Sequence, residues 1–291
     1  SRVPVYTGEA LTVTEATDLL RDRYSSVVVL AGDVDAGKTT LLAELYQLFL
    51  KGEVGGFAFA GSQTLMGFER RCYLARLSSG SEMPNTERTR HSEEVFLHLL
   101  LRDGQMSLEQ VLFADITGEV FERLRISASE ASTLSHIARV DHLAILIPCD
   151  RLVDPQRRQK ARDDSIDVIR RLLETRLISS ATNVQVIFSK WDYVAGDANV
   201  AIHEAFIDSC QQKITADFRD AIRELSFVRL DARSEDSSLL IGLLQTWREV
   251  RRPRHLGRLH PHLGDERRGT HRNSVLRPEH AAARRDGELS S

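Results

Sequence analysis

The stretch Val27 to Thr40, VVVLAGDVDAGKTT, constrains this chain more than any other. A β-branched apolar run stops, and a loop carries Gly32, Gly37, Lys38 and Thr39 at G-x-x-x-x-G-K-T spacing. Leu41, Leu42, Leu45, Leu48 and Phe49 then recur at helical spacing. The order implies a buried strand, a tight turn around an anion, and a helix whose N-terminus adds partial positive charge. Glycine permits both the turn and the close approach. In such a loop the backbone N–H groups of Asp33, Val34, Asp35, Ala36, Gly37, Lys38 and Thr39 point inward at a β-phosphate, and Thr40 completes the binding set. Lys38 is placed to bridge the β- and γ-phosphates, and the Thr39 hydroxyl to ligate magnesium. The plain alternative is an ordinary Gly-rich turn. The strand–turn–helix setting speaks against it.

Composition adds bounds rather than a function. With 291 residues, 42% of them apolar, the chain can bury a sizeable core. The formal net charge of −3 makes no case for a nucleic-acid binder. Charge is unevenly placed, however: from Arg251 onward there are ten Arg, no Lys and five Asp or Glu, a tail of about +5 on a body of about −8. Cys72, Cys149 and Cys210 are few, far apart and without metal-ligand spacing, which suits a reducing compartment. No apolar run approaches the roughly 20 residues of a membrane-spanning helix, and no signal pattern opens the chain. A soluble cytoplasmic protein is expected. Because the sequence opens on Ser1 rather than Met, a longer parent chain is allowed for.

Along the chain, Thr12-x-x-Glu15 reads as a capping box for a lead-in helix within residues 1–26, carrying Ala16, Leu19 and Leu20 and packed beside the first strand. After the loop helix an insertion spans about 52–85, with a short strand at Phe57–Ala60, a helix from about Ser62 to Leu77, and a mobile loop from Ser78 to Ser92. Val95–Leu101 and Val111–Ala114 flank Asp103-Gly104 and should pair antiparallel. A helix at Ala128–Arg139, a strand at Leu143–Ile147, a helix at Pro155–Ile178 and a strand at Val184–Phe188 follow. A helix at Asn199–Leu225, a strand at Phe227–Leu230 and a helix at Ser237–Val250 close the body. Residues 251–291 show no apolar periodicity and are expected to be disordered. Five of the ten histidines fall there, irregularly spaced and without cysteine. A solvated tail is the first reading, a weak electrostatic contact with nucleic acid or anionic lipid the second, and metal binding the third.

In an open parallel sheet, ligands bind at the carboxyl ends of the strands. Three strand ends carry suggestive residues. Asp115-x-x-Gly118 offers a carboxylate for magnesium and a glycine N–H for a γ-phosphate. Ser189-Lys190-Trp191-Asp192 is similar to the [N/T]-K-x-D pattern of GTPases, in which the carboxylate, here Asp192, accepts hydrogen bonds from guanine N1–H and the exocyclic amine. The Lys190 stem would lie along the base and tether the loop. Ser189 stands where Asn or Thr is usual. Asp231-Ala232-Arg233 matches a Ser-Ala-Lys-like turn only at Ala232, whose N–H would meet guanine O6.

With four elements in this order, the chain from Val27 to Val250 resembles TRAFAC-type, Ras-like P-loop GTPases. The resemblance implies an α/β three-layer P-loop NTPase fold: a mostly parallel sheet of about six strands with one antiparallel strand, and helices on both faces. It also implies GTP and GDP as ligands, Mg2+ as cofactor, and an unidentified protein effector or activating partner. GSQTLMGFERR and DITGE are more narrowly similar to bacterial double-GTPase domains associated with conflict systems. The loop text GDVDAGKTTL is also similar to translation-factor GTPases, but Asp115-Ile116-Thr117-Gly118-Glu119 lacks their Pro-Gly-His.

By the same resemblance, a switch threonine should reach magnesium and γ-phosphate. Thr89 is the first choice, Thr86 the second and Thr64 the third. Glu119 takes the place of the water-positioning residue, so the catalytic set is Lys38, Glu119 and Thr89, and the metal set Thr39, Asp115 and Thr89. A carboxylate at 119 adds repulsion to an anionic site. Hydrolysis is therefore expected to be slow unless Arg70, Arg71, Arg88 or a partner supplies a cation. The leading reading is a GTPase switch that orders Ser78–Ser92 and Thr117–Arg125. The alternative is a GTP-binding scaffold with little hydrolysis. A P-loop ATPase or kinase would leave Lys190 and Asp192 as coincidence.

Overall fold

The computed structural model describes residues 8–22, 25–80, 95–137 and 139–248. The first choices for the switch threonine, Thr89 and Thr86, lie outside the described residues, as do Arg88 and the 251–291 tail. In chain order the elements are α1 (Val13–Asp22), β1 (Ser25–Ala31), α2 (Lys38–Lys51), β2 (Phe57–Gly61), α3 (Leu65–Gly80), β3 (Val95–Asp103), β4 (Leu108–Asp115) and α4 (Gly118–Ile126). A 3-10 helix (Ala128–Ile137), β5 (His142–Pro148), α5 (Cys149–Leu152), α6 (Arg158–Glu174), β6 (Asn183–Ser189), α7 (Asp192–Ala195), α8 (Val200–Phe218), β7 (Glu224–Leu230) and α9 (Ser238–Arg248) follow.

The seven strands form one sheet in the order β2-β3-β4-β1-β5-β6-β7. β3 runs antiparallel to both its neighbours, β2 and β4; β4, β1, β5, β6 and β7 pair in parallel. β1 sits between β4 and β5 and is buried along its whole length, which is why it reads as an unbroken apolar run. Its side chains still alternate. Val27, Val29 and Ala31 join a core under α1, α4, α6 and α8, while Val28 and Leu30 join a core under α2, α3 and α9. This is the three-layer arrangement read from the sequence, with seven strands in place of about six.

Local chemistry set several elements as expected. Thr12 and Glu15 form a reciprocal cap on α1: the Glu15 carboxylate accepts the Thr12 N–H at 2.8 Å, and Thr12 Oγ1 accepts the Glu15 N–H at 3.3 Å. The lead-in shares a core with β1 and is also joined to β3, through paired Leu11–Phe96 backbone hydrogen bonds of 2.9 Å. At the hairpin, Asp103 Oδ1 accepts the N–H groups of Gln105 and Ser107, and Met106 rather than Gly104 takes the left-handed conformation.

Other boundaries moved for tertiary reasons. α6 ends at Glu174, four residues short of expectation, in a Schellman closure: Arg176 is left-handed (φ 58°), its N–H reaches Leu173 O, and the Leu177 N–H reaches Leu172 O, both at 3.0 Å. α8 stops at Phe218, because Glu224 to Ser226 are drawn into register with Asn183 to Gln185 of β6. The segment after Ser127 winds as 3-10 rather than α-helix. α4 was read only as part of a switch segment.

Candidate functional site

The carboxyl ends of β1, β4, β5, β6 and β7 converge around residues 32–39. Gly32 has φ 147°, and a Cβ there would lie 2.7 Å from Leu146 O, so the loop leaves β1 through a conformation and a space open only to glycine. Lys38 opens α2, and its Nζ donates to the carbonyls of Gly32 at 2.6 Å and Asp33 at 2.9 Å. Burial lowers its pKa to about 8, against the pull of Asp115, then Asp33, Glu119 and Asp35. That four carboxylates act on one buried ammonium places β4, α4 and the loop around a single crevice. Thr39 is exposed beside it, on the first turn of α2.

Gly118 begins α4 and lies directly on the loop. A Cβ added there would come 2.3 Å from Val34 N and 2.7 Å from Asp33 C. From β6, the Ser189 hydroxyl donates to Ala36 O at 2.7 Å, a buried bond joining residues 153 apart. The shorter residue at this position thus ties the turn bearing Asp192 to the loop. We expect Ser189→Ala to cost about 1–2 kcal/mol, the price of a buried carbonyl left unpaired, and to lower the melting temperature by roughly 2–8 °C. Thermal melts of the two proteins check this, and an unchanged melting temperature would refute the tie.

Lys190 is left-handed (φ 55°) and its Nζ donates to Asp150 Oδ2 at 2.9 Å. Asp35, in the loop, is left-handed as well (φ 63°). Non-glycine residues are held this way only where the surroundings over-determine them, and such strain concentrates at functional sites. The Trp191 N–H reaches Leu230 O at 3.1 Å, which brings the turn bearing Asp192 beside Asp231–Arg233. Asp192 is exposed at the start of α7, and Ala232 is half-buried.

The arginines are disposed differently from expectation. Arg70 pairs on the surface with Glu9. Arg71, from α3, places Nε 2.9 Å from Asp115 Oδ2 and a second guanidinium nitrogen on the same oxygen. Two arginines that sequence reasoning passed over engage the loop: Arg151 bonds Asp33 Oδ2 and Val34 O, each at 2.6 Å, and Arg125 bridges Asp33 and Asp164. Asp150 and Arg151 are the second and third residues after β5, so the strand-end rule that nominated Asp115 would have found them. Thr64 is fully buried, and its hydroxyl accepts the His98 N–H at 2.9 Å, which commits it to joining the start of α3 to β3. Cys149 and Cys210 are free and buried, and burial raises their pKa values to about 12 and about 11, the environment of a structural thiol.

A hard divalent cation at this crevice would draw on the Thr39 hydroxyl and the Asp115 carboxylate, the sparse protein donor set ordinary for magnesium shared with phosphates. Among the described residues no group of three or more His, Cys, Asp or Glu could hold a metal alone. The donor chemistry fits magnesium, although Arg71 already engages Asp115.

A family model described as Double-GTPase 2 matches residues 26–247. This chain belongs to that family. Membership makes it a GTP-binding domain of the P-loop GTPase fold, in keeping with both the Ras-like and the double-GTPase resemblance read from the sequence. A comparison with curated proteins finds no match. Among solved structures the chain is similar to translation elongation factor SelB from Methanococcus maripaludis, in complex with the GTP analogue GppNHp (11% identity, TM-score 0.41), covering 77% of this chain and 33% of that one. It is also similar to a chain of the signal recognition particle receptor SRβ-GTP/SRX complex from Chaetomium thermophilum (14% identity, TM-score 0.42, 78% and 97% covered). The Ski7 GTPase-like domain from S. cerevisiae, bound to GDP and inorganic phosphate, is a third (13%, 0.42, 77% and 49%). This Double-GTPase 2 chain thus spans about a third of the SelB chain. None of its helices among the described residues is long and apolar enough to cross a membrane.

Proposed function

We propose that this chain hydrolyses GTP to GDP and phosphate with magnesium and works as a conformational switch. The observation that carries the reading is the Ser189–Ala36 hydrogen bond of 2.7 Å, which locks the turn bearing Asp192 to the phosphate loop. Phosphate and base would then be read by one rigid unit. In this reading the N–H groups of residues 33–39 cradle the β-phosphate, and Lys38 leaves the carbonyls it now bonds to meet the β- and γ-oxygens. The Gly118 N–H donates to the γ-phosphate. Glu119, in the first turn of α4, orients the attacking water and accepts its proton. The Asp192 carboxylate accepts from guanine N1–H and the exocyclic amine, with Lys190 along the base and the Ala232 N–H at O6. Thr39 and Asp115 would hold magnesium, which would supply charge neutralisation at the phosphates. Thr89 is the proposed switch threonine, and the nucleotide would order 78–92 and 117–125.

Titration with fluorescent GTP and ATP analogues tests this. Asp192→Asn removes the acceptor for two hydrogen bonds of about 1.5 kcal/mol each, so GTP affinity should fall about 100-fold while ATP binding stays weak. Equal affinity for ATP and GTP in the parent protein, or an Asp192→Asn protein that binds GTP as before, would overturn the guanine assignment. The Arg71–Asp115 pair favours a second reading, a GTP-binding scaffold with little turnover. Single-turnover hydrolysis, with and without candidate partners, separates the two.

A further inference from the structure

Resting on the reading of this crevice as a magnesium–guanine-nucleotide site, we infer that Arg71 is an internal cation competing with the divalent metal for Asp115, so that the metal is admitted only when α3 releases its arginine. Asp115 is the one carboxylate at the end of β4, and both guanidinium contacts fall on its Oδ2. The two side chains are only 11% and 10% exposed, so water does little to weaken the pair. The same carboxylate acts electrostatically on the buried Lys38 ammonium. A single carboxylate between two cations is a poor ligand for a third. Phosphate can draw Lys38 away, but Oδ2 is freed only when the Arg71 guanidinium leaves it.

The position of α3 is itself set from outside the crevice. The Arg71 fork is steadied by a 3.0 Å bond to Gly67 O. Gly67 lies against the lead-in: its N–H meets Gly8 O at 3.0 Å, and a Cβ would fall 1.8 Å from Glu9 O. Arg70 adds the ion pair to Glu9. The segment before α1 therefore holds the helix that holds Asp115. At its other end α3 runs on to Gly80, just ahead of Thr86 and Thr89 in the chain.

The test is a magnesium titration of protein loaded with a fluorescent GDP analogue in chelator, read by nucleotide release, with Mn2+ binding by electron paramagnetic resonance as a second readout. The proteins are the parent, Arg71→Gln, Asp115→Asn and the double variant. Arg71→Gln should lower the metal midpoint about tenfold or more, since the carboxylate loses its competing cation and is left demanding another. Asp115→Asn should raise the midpoint, and adding Arg71→Gln to it should then change nothing. Should Arg71→Gln fail to fold, Arg71→Lys replaces the fork by a single donor and should still lower the midpoint about threefold. An unchanged or raised midpoint in the folded variant, or the same shift with and without Asp115, would make Arg71 purely structural and overturn the inference. A folded parent protein that does not bind GDP would instead overturn the nucleotide reading on which it rests.

Discussion

Replacing Gly118 with alanine is expected to lower the melting temperature by roughly 6–12 °C and to weaken guanine nucleotide binding together with it. The added Cβ would lie 2.3 Å from Val34 N and 2.7 Å from Asp33 C. Both are backbone atoms of a loop held on other sides by the Lys38, Arg151 and Ser189 contacts, so no flexible side chain can yield. Forcing one carbon into such a space costs about 3 kcal/mol, which is a shift of that size for a domain of this length. Relief can come only from moving α4 off the loop, which carries the Gly118 N–H and Glu119 away from the proposed γ-phosphate position. Thermal melts and a GTP titration on Gly118→Ala check both halves. Melting within about 2 °C of the parent would show that the contact yields at small cost.

Trp247→Ala should cost about 3–5 kcal/mol of stability and leave nucleotide selectivity untouched. Trp247 is fully buried on α9, with its ring edge-to-face with Phe113 at 5.8 Å between centroids. Its Nε1–H donates to Gln185 of β6, and its carbonyl accepts the hydroxyl of Ser26 at the start of β1. One side chain therefore fills space over β4 and satisfies a polar group on β6, while its backbone caps β1. Truncation leaves a cavity and an orphaned buried amide oxygen. Trp247→Phe loses the hydrogen bond but keeps most of the ring volume, so it should fall between the parent and Trp247→Ala. Urea unfolding of the three proteins tests the ranking, and Trp247→Phe as damaging as Trp247→Ala would show that the hydrogen bond, not the volume, dominates.

Much of the fold was legible because its signals are short-range. The run VVVLAG is a strand by β-branching and a turn by glycine, and Thr12-x-x-Glu15 caps itself within one helical turn. The strand ends at Asp115 and Ser189 fall where the apolar runs stop. What was not legible depends on partners distant in the chain. Arg176 in a left-handed closure looks like any exposed arginine of a helix. The residues 219–226 carry helical periodicity, yet pairing with β6 outweighs propensity and makes Glu224 onward a strand.

By itself the sequence determined where a phosphate loop must sit and which strand ends could face it, since backbone geometry and apolar periodicity are written within a few residues of each other. Only the tertiary structure decided which charges meet there. Arg71 and Asp115 are 44 residues apart, Arg151 and Asp33 118. No local pattern distinguishes these arginines from the solvated majority. Their pairing follows from the strand order, which places β4 and β5 on either side of β1, from the packing of α3 over β3 and β4, and from the cost of leaving a buried carboxylate without a cation.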